Sequence, residues 1–426
     1  MTGNFIIGAA ARVRFAWKRE WTAIIVVFVL MRIIISAVAA TSLWNSTPPA
    51  PSFIPPSHPS MQVFTQTATG SSMVARVLLN GWYRWDTGYF VKIGLAGYSV
   101  QDGSLSFMPF YPLTIHLLEI LTHANALLLA LILSNLFCLV ALILFYEVAR
   151  CELGERGLAW DALLYFVTFP AAFFMFAGYS ESLYMLLTMS LWLLLRRNIN
   201  SWAAFACGLA ILTRLQGVAL ILPMIWQVVA QQAQATHLSP MAEIRQVLRY
   251  IASPSGLLTL KPARLVPVMG AALVPAAALL FYNGGLKYSG LTTVIGAYSG
   301  RNSALVWPWV SLAEFIQRIF TIQFLPSDYV DLALVILFVT LTILGLPKIR
   351  PALSLYSICV LEIVFSRSYS PNLLSGFMRF ALTTFPLFIV LAALKLKPPI
   401  KNLILLLSVL TQLFMTWLFI NWIWVA

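Results

Sequence analysis

A chain of 426 residues that is 60% hydrophobic and only 10% charged cannot hide its apolar side chains inside a soluble domain, so composition selects an all-α polytopic membrane protein. The formal net charge of +13 would suit nucleic acid, but the basic residues are scattered through short polar breaks rather than gathered on one surface, which excludes that partner. Cys138, Cys151, Cys207 and Cys359 lack metal-ligand spacing and read as buried structural thiols.

The N-terminus carries Arg12, Arg14, Lys18 and Arg19 ahead of an apolar run from Thr22 to Ala40. That run is too long for a signal peptide, so it reads as a retained first span whose start is cytoplasmic. Further apolar segments follow near 125–146, 158–177, 181–196, 201–213, 217–231, 265–286, 329–346, 351–366, 377–394 and 402–425. A full crossing takes about 20 apolar residues, so several of these are short. Alternating sides then gather Arg150, Arg156, Arg196, Arg197, Arg245, Arg249, Lys261, Arg264, Lys348, Arg350, Lys395, Lys397 and Lys401 with the N-terminal basic residues on the cytoplasmic face. The alternation holds only if 107–121, with Pro109, Pro112, His116 and Glu119, is re-entrant or interfacial. The whole chain reads as one transmembrane domain, with a cytoplasmic basic loop at 232–264 and non-cytoplasmic loops at 41–106 and 287–328.

The first outer loop divides by composition. Residues Thr47–Ser60 are proline-rich and read as an irregular, mobile crossing. Beyond them Trp82, Trp85, Tyr89 and Ile93 recur at helical spacing, which predicts a helix lying in the membrane interface, its aromatics either a belt or a substrate face. Asp86 adjoins that face, and a belt has no use for an anion. It is the candidate catalytic carboxylate, unless it pairs with Arg84 or Lys92.

Other ionisable groups each have a structural and a functional reading. Glu181 either complements a helix dipole behind a Ser180 cap or shapes a pocket. Arg214, between two apolar runs, either snorkels or binds an anion through its planar donor fork. Arg301 and Arg379 fall on the same outer side and are further candidates for a phosphate, or neutralise acidic neighbours. Glu119, Asp161 and Glu362 read as polar partners between helices, and His116 and His123 lack further ligands, so no metal site is built on them.

The motif order resembles the PIG-V mannosyltransferase family. The matching stretches are Arg84-Trp85-Asp86, then Phe107-Met108-Pro109-Phe110-Tyr111-Pro112-Leu113, Phe169-Pro170, Phe173-Phe174, Tyr179-Ser180-Glu181-Ser182-Leu183-Tyr184 and Thr213-Arg214-Leu215-Gln216-Gly217, with an echo in Arg379-Phe380 and Phe385-Pro386-Leu387-Phe388. Phe169 stands where the eukaryotic pattern has Asn, and Leu215-Gln216 where it has Ser-Asn, departures that bear on the acceptor.

The resemblance implies a GT-C glycosyltransferase fold with about 10–12 membrane helices, each of some 20 residues, and interfacial helices in the first outer loop. It also implies transfer of a sugar, mannose foremost, from a polyprenyl-phosphate donor to a lipid-linked or glycan acceptor at the non-cytoplasmic surface, with inversion. Asp86 would be the base and Arg214, Arg379 and Arg301 the donor-phosphate ligands. Arg84, Trp85, Tyr111, Tyr179, Glu181 and Gln216 would line the pocket, and no obligatory metal or other cofactor is expected. Compact loops and the lack of processing signals favour a bacterial plasma membrane over the endoplasmic reticulum. Two competing classes are a lipid or solute transporter or flippase, and a non-catalytic subunit of a transferase complex. The transporter class predicts charges deep along a translocation path rather than on one face.

Overall fold

A computed structural model describes residues 3–44, 72–99, 104–259, 265–271, 303–320, 326–369 and 377–423, with residues 261, 273 and 425. The proline-rich stretch Thr47–Ser60 and Arg301 lie outside the described residues. Helices dominate: α1 (Gly3–Leu43), α2 (Met73–Leu78), α3 (Asp86–Ala96), α4 (Phe110–Thr122), α5 (Ala126–Leu153), α6 (Arg156–Val167), α7 (Glu181–Arg196), α8 (Asn200–Thr213), α9 (Ile221–Gln232), α10 (Pro240–Ala252) and α11 (Pro254–Thr259). They continue with α12 (Pro308–Ile319), α13 (Pro326–Gly345), α14 (Pro351–Phe365), α15 (Phe377–Thr383), α16 (Pro386–Ala393) and α17 (Pro398–Ile420). A ribbon of three-residue strands, β1 (Ser303–Leu305) antiparallel to β2 (Arg367–Tyr369), pairs Ala304 with Ser368.

The chain is an all-α polytopic membrane protein. Among the described residues four stretches are long and apolar enough to cross a bilayer: Arg19–Leu43, Ala126–Leu153, Leu215–Gln232 and Pro398–Ile420. The helix α7 begins and ends where the apolar run 181–196 does, but its 16 residues rise only about 24 Å. The segment at 107–121 forms α4, whose 13 residues rise about 20 Å, too little to cross alone.

Three readings of the sequence need correction, two apolar runs and one cysteine. The apolar run 158–177 is not one helix: α6 stops at Val167 and a 3₁₀ turn, Pro170–Met175, follows. The run 377–394 breaks likewise between α15 and α16. Each break precedes a proline, Pro170 or Pro386, which cannot donate a helical hydrogen bond. Gln412 of α17 donates to the Val167 carbonyl at 3.2 Å, satisfying the end that the first break exposes. The helices α10 and α11 lie within the basic loop read at 232–264. Of the cysteines, Cys138 and Cys207 are buried but Cys151 is exposed.

The aromatic stripe is also placed differently from expectation. Trp82 closes a 3₁₀ turn, Asn80–Trp82, and α3 begins only at Asp86, so the stripe belongs to two elements. Trp82, Trp85 and Ile93 are buried in the protein core instead of facing lipid: Trp82 meets Phe419 of α17, Trp85 meets Trp422, and Ile93 lies on α3, which packs against α4 and α5. The 3₁₀ turn Leu215–Leu220, which follows α8, folds tightly back on that helix. A Cβ on Gly217 would sit 2.6 Å from the backbone nitrogen of Ile211, so only glycine fits.

Gly217→Ala is therefore expected to cost about 2 kcal/mol or more by overpacking. Gly157→Ala, on α6 where a Cβ meets nothing within 4 Å, should leave stability level or slightly raised. Thermal unfolding of the detergent-solubilised protein compares them; equal midpoints would contradict the close approach at Gly217.

Candidate functional site

Antiparallel packing of α7 and α8 through the three-residue link 197–199 brings the start of α7 beside the end of α8, so Glu181 and Arg214 meet. The short helix α15 packs against the 3₁₀ turn Pro170–Met175 and supplies Arg379. Asp86 arrives from a separate constraint. Arg84 is buried and donates from Nε to the Ile420 carbonyl at 3.0 Å and from Nη1 to the Asn80 and Tyr83 carbonyls at 2.8 and 3.2 Å. Its guanidinium lies 4.7 Å over the Trp422 ring, and Trp85 meets Trp422 edge-on at 5.5 Å. These ties hold Trp85 at φ 50°, a conformation that L residues adopt at a cost, and the strained turn starts α3 with Asp86 in its first turn. There the helix dipole favours the carboxylate.

The four charged groups form a chain of ion pairs. Arg214 Nη1 lies 2.6 Å from Glu181 Oε1; Arg379 Nε donates to that same oxygen; Arg379 Nη1 donates to Asp86 Oδ2 at 2.5 Å. Two cations thus balance two anions. Exposure is lowest at Glu181, whose side chain is 0% exposed, and highest at Asp86, at 17%. Arg214 also donates from Nε to Gln216 Oε1 at 2.7 Å and from Nη1 to Ser180 Oγ at 3.3 Å. Arg379 stacks over Phe174 at 5.1 Å and Tyr179 at 4.7 Å, and the Asp86 backbone N–H donates to the Tyr179 hydroxyl at 3.3 Å.

Burial, and then the Asp86 carboxylate, push the Tyr179 phenol well above its ordinary pKa, so it stays protonated. Burial pulls the Arg84 guanidinium down to about 10, leaving it charged at neutral pH. Two buried polar atoms in the cluster, Glu181 Oε2 and Gln216 Nε2, have no hydrogen-bond partner among the described residues.

The sequence-based assignments divide accordingly. Asp86, Tyr179, Glu181, Arg214, Gln216 and Arg379 converge. Glu181 is an ion-paired group rather than a dipole complement behind a cap, since Ser180 makes no capping hydrogen bond and instead accepts from Arg214. Arg84 and Trp85 are anchors for the strained turn, not pocket groups. Tyr111 is fully buried, its hydroxyl 2.9 Å from the Ala130 carbonyl and 2.8 Å from Ser134 Oγ, so it joins α4 to α5. Asp161 is an inter-helix partner as expected, 2.9 Å from Lys401.

Sequence reasoning missed the residues that support the irregular segment 168–180. Arg32 Nη1 of α1 and Asn135 Nδ2 of α5 donate to the Phe176 carbonyl at 3.0 and 3.1 Å, and Ser134 Oγ donates to the Tyr179 carbonyl at 2.9 Å. A lone arginine in an apolar run and an adjacent Ser-Asn pair in the middle of another were the available signals. Among the described residues no three of His, Cys, Asp and Glu converge as metal ligands.

Residues 20–266 match the family model described as Mannosyltransferase (PIG-V). The chain is similar to GPI mannosyltransferase 2 of Drosophila pseudoobscura pseudoobscura, 31% identical over 143 residues, which make up 31% of each protein. It is similar also to GPI alpha-1,6-mannosyltransferase 2 of Cricetulus griseus, 33% identical over 136 residues, 30% of this chain and 27% of the relative. The protein of that name from Rattus norvegicus is 31% identical over 140 residues, 31% of this chain and 28% of the relative. These matches span less than a third of each curated relative's length. The family match takes in Asp86, Glu181 and Arg214 and ends before Arg379, which only the fold brings to the cluster.

Glu181→Gln keeps the shape of the side chain but removes the charge shared by Arg214 and Arg379. Breaking such a buried pair is expected to destabilise the protein by about 3–5 kcal/mol. A thermal midpoint equal to that of the wild type would contradict a charge-balanced cluster.

Proposed function

The chain belongs to the PIG-V family of mannosyltransferases, and from that premise we propose that it moves a mannosyl residue from a polyprenyl-phosphate donor to a lipid-linked or glycan acceptor. The reaction is assigned to the non-cytoplasmic membrane surface and inverts the anomeric carbon. The favoured setting is a bacterial plasma membrane, on the ground of the compact loops. The observation that carries the reading is Asp86, the partly exposed carboxylate of a buried cluster whose two cations and two anions cancel.

In this scheme an acceptor hydroxyl attacks the anomeric carbon while its proton passes to an Asp86 oxygen, and the sugar–phosphate bond breaks with its electron pair leaving on the lipid phosphate. A positioned base of this kind contributes roughly 10²–10⁴-fold. Glu181, held between two arginines and shut off from solvent, is the positioning group, and Asp86 the base.

Arg379 has two claims on it. A phosphate brings net negative charge into a set of groups that already sums to zero, and it is best accommodated by drawing Arg379 away from Asp86. The donor would then release the base from its ion pair at the moment the acceptor needs it. Arg379 and Arg214 would stabilise the departing phosphate by preorganised charge, with Arg301 a further donor ligand and no obligatory metal. Gln216 and Tyr179 are assigned to the sugar or acceptor pocket, where the unpartnered Gln216 Nε2 offers a donor.

Sugar transfer from radiolabelled polyprenyl-phosphate mannose is the test, in membranes holding wild type or Asp86→Asn at matched levels. The wild type is expected to transfer label and the variant to fall by at least about 100-fold. Near-normal turnover by the variant would overturn the role of Asp86; no transfer by either protein would overturn the donor assignment.

A further inference from the structure

The candidate span Leu215–Gln232 begins beside the ion-pair cluster with the 3₁₀ turn that holds Gln216, and the 12 residues of α9 then rise about 18 Å to the opposite end. There Gln231 Nε2 donates to the Leu195 carbonyl at 2.8 Å, at the end of α7 remote from Glu181. The helix α10 starts eight residues after Gln232, so it sits where a span leaves the bilayer on the face away from the site.

Two sides of α10 differ sharply. One buries Glu243 and Val247, a helical turn apart, against α9: Trp226 Nε1 donates to Glu243 Oε1 at 3.1 Å, and Val247 joins a small cluster with Val229, Ala230, Ala233 and Ala235. The other leaves Met241, Leu248 and Ile251 exposed at 48%, 55% and 43%, on positions i, i+7 and i+10 that share one arc. Arg245 and Arg249 are exposed beside that arc, and neither pairs with a carboxylate among the described residues.

From this arrangement we infer that α10 is an interfacial helix that docks on an anionic lipid surface, with Met241, Leu248 and Ile251 in the acyl boundary and Arg245 and Arg249 on lipid phosphates. An apolar arc flanked by arginines is the composition that such a position rewards. Charge complementarity selects the occupant. A second copy of the chain would set its own Arg245 and Arg249 against these, whereas anionic headgroups neutralise them. The inference does not depend on the proposed reaction.

Hydrogen exchange of amides 241–252 tests it, on the full chain in nanodiscs of phosphatidylcholine alone or with added phosphatidylglycerol. The wild type is expected to exchange roughly 30-fold more slowly on the anionic surface, the equivalent of about 1 kcal/mol for each arginine. Arg245→Gln/Arg249→Gln should abolish that difference. Because both side chains are exposed, the double variant should keep the wild-type thermal midpoint, which separates lost docking from lost folding. Equal exchange of the wild type on the two surfaces would overturn the inference. So would a lipid difference that survives in the double variant, or protection that grows with protein concentration, the mark of a second copy.

Discussion

Everything at the candidate site depends on Glu181 being a carboxylate closed off from solvent. A buried anion is costly unless cations and hydrogen bonds surround it. Here Arg214 from the end of α8 and Arg379 from α15 meet on one of its oxygens, so one charge ties the α7–α8 hairpin to a helix nearly 200 residues further along the chain, the separation of Glu181 and Arg379 being 198. Arg379 then has a donor left for Asp86, which fixes the fourth element, α3. The chemistry proposed for Asp86 follows from its place at the end of this series. Among the described residues it is the carboxylate that both touches the cationic cluster and remains partly open, and in the proposed scheme it shares its arginine with the donor phosphate.

A second constraint lies behind the first. Residues 168–180 are irregular, and unpaired backbone is tolerated at membrane depth only when protein groups satisfy it. Arg32, Ser134, Asn135 and Gln412 meet that need from α1, α5 and α17. The polar side chains inside the apolar helices thus serve the segment that presents Phe174, Tyr179 and Glu181, and membrane burial of polar groups here is a means of shaping the site.

Much of the helical architecture was legible because the bilayer imposes long apolar runs: the limits of α7 and α8 match the hydropathy pattern within a residue. The Pro170 and Pro386 breaks were not, since hydropathy continues through them while hydrogen bonding does not. Asp86, Glu181, Arg214 and Arg379 stood out because isolated charges in apolar surroundings are expensive, but their mutual pairing is a property of the fold, as Arg379 lies 293 residues from Asp86. The motif around Asp86 also misled in part. Arg84, Trp85 and Tyr111 accompany the catalytic candidate in sequence because they build the strained turn and the α4–α5 contact, work that motif reading cannot tell from substrate contact. The aromatic stripe at Trp82 and Trp85 was periodic for the core, not for lipid.

The central claim is that Arg379 is shared between Asp86 and the donor phosphate. The most direct measurement is the affinity of sugar-free polyprenyl phosphate for the detergent-solubilised wild type, Asp86→Asn and Arg379→Gln. If the claim holds, Asp86→Asn binds the lipid phosphate more tightly than the wild type, because its competitor is gone, and Arg379→Gln binds it more weakly. Equal affinities for the wild type and Asp86→Asn would contradict it.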